Sequence, residues 1–142
     1  MGIDYKDKSY KLLIMWIIVF LGLMIAGTIV PKIYFSKVTI EVMMKIMLML
    51  VLLALLTLFY IIYKTENIYW INGTSYDEAK FATSERRKKF AMRHLKPFLK
   101  ATAIYGVYCI IGIIINTSEW IDITTFILII IIADVKTIPI KL

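Results

Sequence analysis

Ser84 to Lys100 reads SERRKKFAMRHLKPFLK, a basic stretch set between two long apolar halves of the chain. Ser84 is a suitable N-cap and Glu85 falls in the first turn, where negative charge complements the helix dipole, so a helix is predicted to begin here. Arg86, Arg87, Lys88, Lys89, Arg93, Lys96 and Lys100 follow, with Phe90, Leu95, Phe98 and Leu99 as apolar anchors between them. A basic amphipathic helix of this kind suits an anionic bilayer surface, each cation near the headgroups contributing about 1 kcal/mol. Such a cluster also retains a loop on the cytoplasmic side during insertion. Arg86, Arg87, Lys88, Lys89, Arg93 and Lys96 are therefore the expected lipid or partner contacts.

Composition fixes the class outward from that segment. The chain has 142 residues, of which 61% are hydrophobic, whereas soluble domains have an apolar share of about 45–50%. The mean hydropathy is +0.80. This is the composition of an integral membrane protein. The net charge of +7 would suit nucleic acid in a soluble chain, but here the cations sit at the ends of apolar runs and favour the membrane surface. A single cysteine, Cys109, excludes an intramolecular disulfide. Isoleucine and lysine are frequent at the expense of alanine and arginine, which suggests an AT-rich bacterial genome and hence a bacterial cytoplasmic membrane.

Four apolar runs are expected as transmembrane helices, at about 12–30, 40–63, 98–115 and 120–136, with a cytoplasmic loop at 64–97, all in one polytopic domain. Leu12 to Val30 carries no charge and spans about 28 Å as a helix, close to a hydrocarbon core of about 30 Å. It is longer than a signal-peptide core and lacks a small-x-small cleavage site, so it reads as a retained anchor. Pro31 is expected to stop it, and Tyr34 and Phe35 to lie at interfacial depth. Thr39 can cap the second helix, near whose start Glu41 and Lys45 stand at the i, i+4 spacing of a local pair or of two snorkelling charges.

Between Lys64 and Lys100, Asn72-Gly73 signals a turn, and Ser75 with Glu78 forms a capping box for a short helix near Tyr76 to Ala82. Tyr60, Tyr63, Tyr69 and Trp70 suggest an interfacial aromatic belt. The segment is too poor in apolar residues for a core of its own and is expected to lie on the bilayer or a partner. Pro97 predicts a kink that turns the basic helix along the membrane surface while the third span crosses. Thr102, Gly106 and Gly112 offer close-contact faces, and Gly22 with Ala26 offers the same spacing, so the first helix is expected to pack on the third. Tyr105 and Tyr108 could line an apolar cavity. The last run is short, and a re-entrant segment is its alternative reading.

Fourteen of the seventeen Lys and Arg fall on one side of this four-span arrangement, which predicts an N-in, C-in orientation. No ionisable side chain lies at mid-depth in the apolar runs, so no proton relay or ion path is evident. Asp134 reads as an interfacial carboxylate, His94 as structural or surface, and Cys109 as an inert thiol. Asn72-Gly73-Thr74 and Asn116-Thr117-Ser118 match the glycosylation pattern by chance, one on the inner side and one against the membrane. No phosphate loop, catalytic carboxylate pair or nucleophile elbow appears, and no cofactor or metal is called for.

The expected function is that of a small non-catalytic polytopic protein: a subunit, regulator or immunity-type accessory factor. It would act on a larger membrane-protein partner and on anionic headgroups, whereas a homo-oligomer belongs to the alternative. The alternative is a small oligomeric transporter or channel for a lipophilic substrate around Tyr105 and Tyr108.

Overall fold

A computed structural model describes Tyr5, residues 7–34 and residues 38–142, apart from the side chains of Lys32 and Tyr34. The expected interfacial side chains of Tyr34 and Phe35 lie outside the described residues. All regular structure among the described residues is helical: α1 (Lys11–Tyr34), α2 (Ile40–Thr65), α3 (Tyr76–Phe81), α4 (Ser84–Ile114) and α5 (Glu119–Thr137), with a 3-10 turn at Ile68–Trp70 between α2 and α3. Three helices, α1, α2 and α4, are long and apolar enough to cross a membrane. Helix α5 has 19 residues, or about 28 Å, and carries Glu119, Asp122, Asp134 and Lys136.

The centre is an antiparallel pair, α2 and α4, with α5 laid against both. Leu52 from α2, Phe98, Ala101 and Tyr105 from α4 and Ala133 from α5 form one buried cluster. Phe59 and Phe98 stack with ring centroids 4.4 Å apart. Small residues permit this approach: a Cβ at Gly106 would touch the Met49 methyl at 3.5 Å, and one at Gly112 would crowd Lys45 Cε at 2.9 Å. The close-contact face of α4 therefore meets α2 rather than α1. Helix α1 also docks on α2, where a Cβ on Gly27 would lie 2.9 Å from Met47 Sδ. Gly22 has no neighbour within 4 Å of such a Cβ, and Ala26 is exposed. The expected packing of α1 on the third span through Gly22 and Ala26 is thus corrected. The spacing motif marks where a helix can be approached and does not select the partner.

Two prolines sit inside helices rather than ending them. Helix α1 continues past Pro31 to Tyr34, and α4 passes through Pro97 without a break. The missing Pro97 N–H removes only the bond to the Arg93 carbonyl, while Phe98, Ala101 and Leu95 pack on either side of it. Consequently the basic stretch and the third apolar run are one helix of 31 residues, about 46 Å long, and the expected separate surface helix is corrected.

One end of the bundle is capped. Ile68, Tyr69, Ile71 and Ala79 pack with Ile62 of α2 and with Phe90 and Ala91 of α4, and Tyr5, Tyr76, Ile140 and Leu142 close over them. As expected the segment has no core of its own: its few apolar residues complete one begun by the ends of α2 and α4. The N-terminal segment joins the same cap: Tyr69 Oη donates to Ser9 O at 2.8 Å and accepts from Ser9 N at 3.0 Å. The capping box of Ser75 and Glu78 forms as expected, and Gly73 takes the left-handed φ of +87° that the Asn72-Gly73 turn requires. The N-cap of α4 is Thr83, whose Oγ1 accepts from Arg86 N, and Ser84 is the first helical residue.

Candidate functional site

Polar side chains gather in two places, at opposite ends of the bundle. Away from the cap, Lys45 and Asp122 form an ion pair of 2.7 Å with 1% and 0% of their side chains exposed. Lys45 Nζ also donates to Thr117 O at 3.0 Å. Tyr108 Oη and Thr117 Oγ1 donate to Asp122 Oδ1 at 2.6 Å and 2.7 Å. The carboxylate therefore accepts three charge-assisted or hydroxyl bonds, and the cluster ties α2, α4, the 115–118 turn and α5 together. Burial of both charges is tolerable only because each is hydrogen-bonded this completely.

Local spacing misdirects the reading of Lys45. Its i, i+4 partner would be Glu41, and its alternative was a snorkelling charge at the helix end. Instead it turns inward to a carboxylate 77 positions along the chain, an arrangement that exists only once α5 folds back.

At the capped end, Glu66 organises the charges. It follows α2 in the left-handed conformation, φ 61°, and its carboxylate accepts from Ser84 Oγ at 2.7 Å and from Arg87 Nε at 2.7 Å. Arg87 Nη2 lies 2.7 Å from the same carboxylate, and Lys88 Nζ 3.5 Å from it. Burial raises the Glu66 carboxyl, but the Ser84 and Arg87 bonds outweigh that effect and hold it below the usual range. Arg87 Nη1 also donates to the Ala79 and Ala82 carbonyls at the end of α3. Its guanidinium carbon sits 4.4 Å from the centre of the Tyr5 ring. Tyr5 Oη donates to Glu66 O at 2.8 Å, and burial pushes this phenol up to about 12 despite the opposing pull of Arg87.

The basic run therefore divides. Arg87 is buried and internally committed, which corrects its expected place among the lipid or partner contacts. Arg86, Lys88, Lys89, Arg93 and Lys96 are exposed. Among the described residues, the ion pairs are Lys45 with Asp122 and both Arg87 and Lys88 with Glu66, which leaves Arg86, Lys89, Arg93 and Lys96 without a carboxylate partner. Sequence could indicate which helix carries these cations, but only the cap sorts them into inward and outward sets.

The remaining candidates are placed as follows. Tyr105 is fully buried in the central cluster, with its hydroxyl unpartnered among the described residues. Its ring lies 5.5 Å from that of Tyr108, whose hydroxyl is taken by Asp122. Thr102 Oγ1 bonds back to Phe98 O at 2.8 Å. Cys109 Sγ faces Lys45 O at 3.8 Å. His94 is buried, with Nδ1 3.1 Å from Phe90 O, and lines a cleft of about 800 Å³ under the cap together with Phe59, Phe90 and Asp134. Asp134, expected as an interfacial carboxylate, is exposed and has no ion-pair partner among the described residues. No three His, Cys, Asp or Glu side chains converge as metal ligands among the described residues. Comparisons with protein-family models, with curated proteins and with solved structures find no significant match to this chain.

Proposed function

We propose that this chain is a small non-catalytic protein of a bacterial cytoplasmic membrane, crossing it four times with both ends inside. Its role is that of a subunit, regulator or immunity-type accessory factor that works through helix faces and a basic cytoplasmic surface. The observation that carries this reading is the sorting of charge at the capped end. Arg86, Lys89, Arg93 and Lys96 are exposed without carboxylate partners among the described residues, while the membrane-level charges Lys45 and Asp122 are closed on each other. Unpaired surface cations recruit anionic partners or headgroups, and a sealed ion pair favours an architectural role over an ion path.

The course of α5 supports the fourth crossing. Asp122 enters beside Lys45 at one end, Ala133 lies in the central cluster, and Ile140 and Leu142 pack on the cap at the other end. Tyr5 and Ser9 reach the same cap. A helix of about 28 Å can span a thin or locally deformed bilayer.

The test is affinity purification of the full chain from its native host in a mild detergent, with mass spectrometry of copurifying proteins, beside the triple variant R86Q/K89Q/K96Q. A larger membrane protein at fixed stoichiometry, lost in the variant, is the expected result. Recovery only as a homo-oligomer would overturn it and favour oligomeric transport of a lipophilic substrate.

A further inference from the structure

The basic face of α4 borders a second, smaller cleft. Arg86, Lys89 and Arg93 follow a three- and four-residue spacing, so they share one stripe of the helix. Lys141 of the tail stands across from them, and the four cations surround a depression of about 260 Å³. Phe90, Lys141 and Leu142 line this depression and also the cleft of about 800 Å³ beside it, so the two adjoin across these three residues. The larger cleft has an apolar wall of Leu58, Phe59, Ile62 and Phe90 at the end of α2, where the span meets the cap, and a polar lining elsewhere that includes Asn72, Glu78 and Asp134.

A concavity with four cations and no carboxylate within bonding distance among the described residues concentrates positive potential and calls for an anion. The adjoining apolar wall calls for hydrocarbon. We propose that this composite cleft is a binding site for one anionic glycerophospholipid. Its headgroup phosphate is held by Arg86, Lys89, Arg93 and Lys141, and an acyl chain lies along Phe59, Ile62 and Phe90. Arginine and lysine side chains both hold phosphate oxygens through charge-assisted hydrogen bonds, and basic pockets between helices at the cytoplasmic level bind such headgroups. The assignment rests on the proposed cytoplasmic placement of the cap and narrows general headgroup contact to a defined site.

Trp70 lines the larger cleft and supplies the readout. The full chain carrying W16F/W120F is reconstituted in nanodiscs of phosphatidylcholine containing either phosphatidylglycerol or phosphatidylcholine with brominated acyl chains, at equal mole fraction. Brominated phosphatidylglycerol is expected to quench Trp70 the more strongly. Each of R86Q, K89Q, R93Q and K141Q is expected to lower the apparent affinity about fivefold, whereas R86K/R93K largely retains it. Circular dichroism and gel filtration of each variant identify any that fail to fold, and the charge-keeping pair reads the site in their place.

Equal quenching by the two lipids would overturn the proposal. So would a loss of preference in K96Q/K100Q as large as in the cleft variants, since that marks diffuse surface attraction. Suppression of the preference by inorganic phosphate, with no dependence on acyl chains, would reassign the site to a soluble phosphate and equally overturn it. Each of these results leaves the partner reading intact, because that is read by copurification.

Discussion

Asp122 and Lys45 show how one residue's role depends on a remote contact. Removing one member of a buried, hydrogen-bonded ion pair leaves an uncompensated charge and costs about 3–5 kcal/mol. Asp122→Ala should therefore lower the stability of the detergent-solubilised protein by that order in a denaturant titration. The double variant K45M/D122L, which leaves no buried charge, should recover most of it. Glu66 gives a pH signature at the same scale. Its folded value lies below the ordinary 4.5, so the folded state favours the carboxylate. The resulting stabilisation is fully present above the ordinary value and is lost as pH falls through the depressed one. E66Q should cost about 2 kcal/mol at neutral pH through its charge-assisted bonds and should flatten the acid limb of the stability profile.

Among the elements, the contact face of α4 was legible as small residues at helical spacing, yet its partner was not. Gly112 sits against the polar cluster, where a Cβ would lie 2.8 Å from Thr117 Oγ1 and 2.9 Å from Lys45 Cε. Gly112→Ala should therefore disturb the ion pair and cost about 1–3 kcal/mol, the usual range for overpacking, as measured by thermal unfolding. Gly27 meets the flexible end of Met47 and Leu50 Cδ1, so Gly27→Ala should be mild, while Gly27→Leu should lift α1 from α2. Loss of a cysteine cross-link between the facing sides of those two helices would register the change. The same substitution at Gly22, which faces nothing within 4 Å, should leave the cross-link intact.

For the molecule as a whole, the cap joins three distant pieces of chain: the N-terminal segment, the connection between α2 and α4, and the tail. Topology reporters fused to each terminus should both read cytoplasmic, and opposite readings would remove the fourth crossing from the proposal. The apolar runs of α1, α2 and α4 were readable because a span needs about 20 apolar residues in succession, and that requirement is local. The passage of the basic segment into the third span is not local in this way. A proline disfavours a helix locally, but packing of Leu95, Phe98 and Ala101 on either side of Pro97 carries α4 through it.

Sequence alone determined the helical class, the membrane-length apolar runs, the capping box at Ser75 and the turn at Gly73, because hydrophobic run length and backbone propensity act over a few residues. Tertiary structure alone decided that α1 docks on α2, that Lys45 closes on Asp122, that Arg87 turns inward to Glu66, and that Lys141 joins Arg86, Lys89 and Arg93 around one cleft. Those outcomes depend on which surfaces meet when distant segments pack, and in a chain this apolar many pairings satisfy the same local pattern.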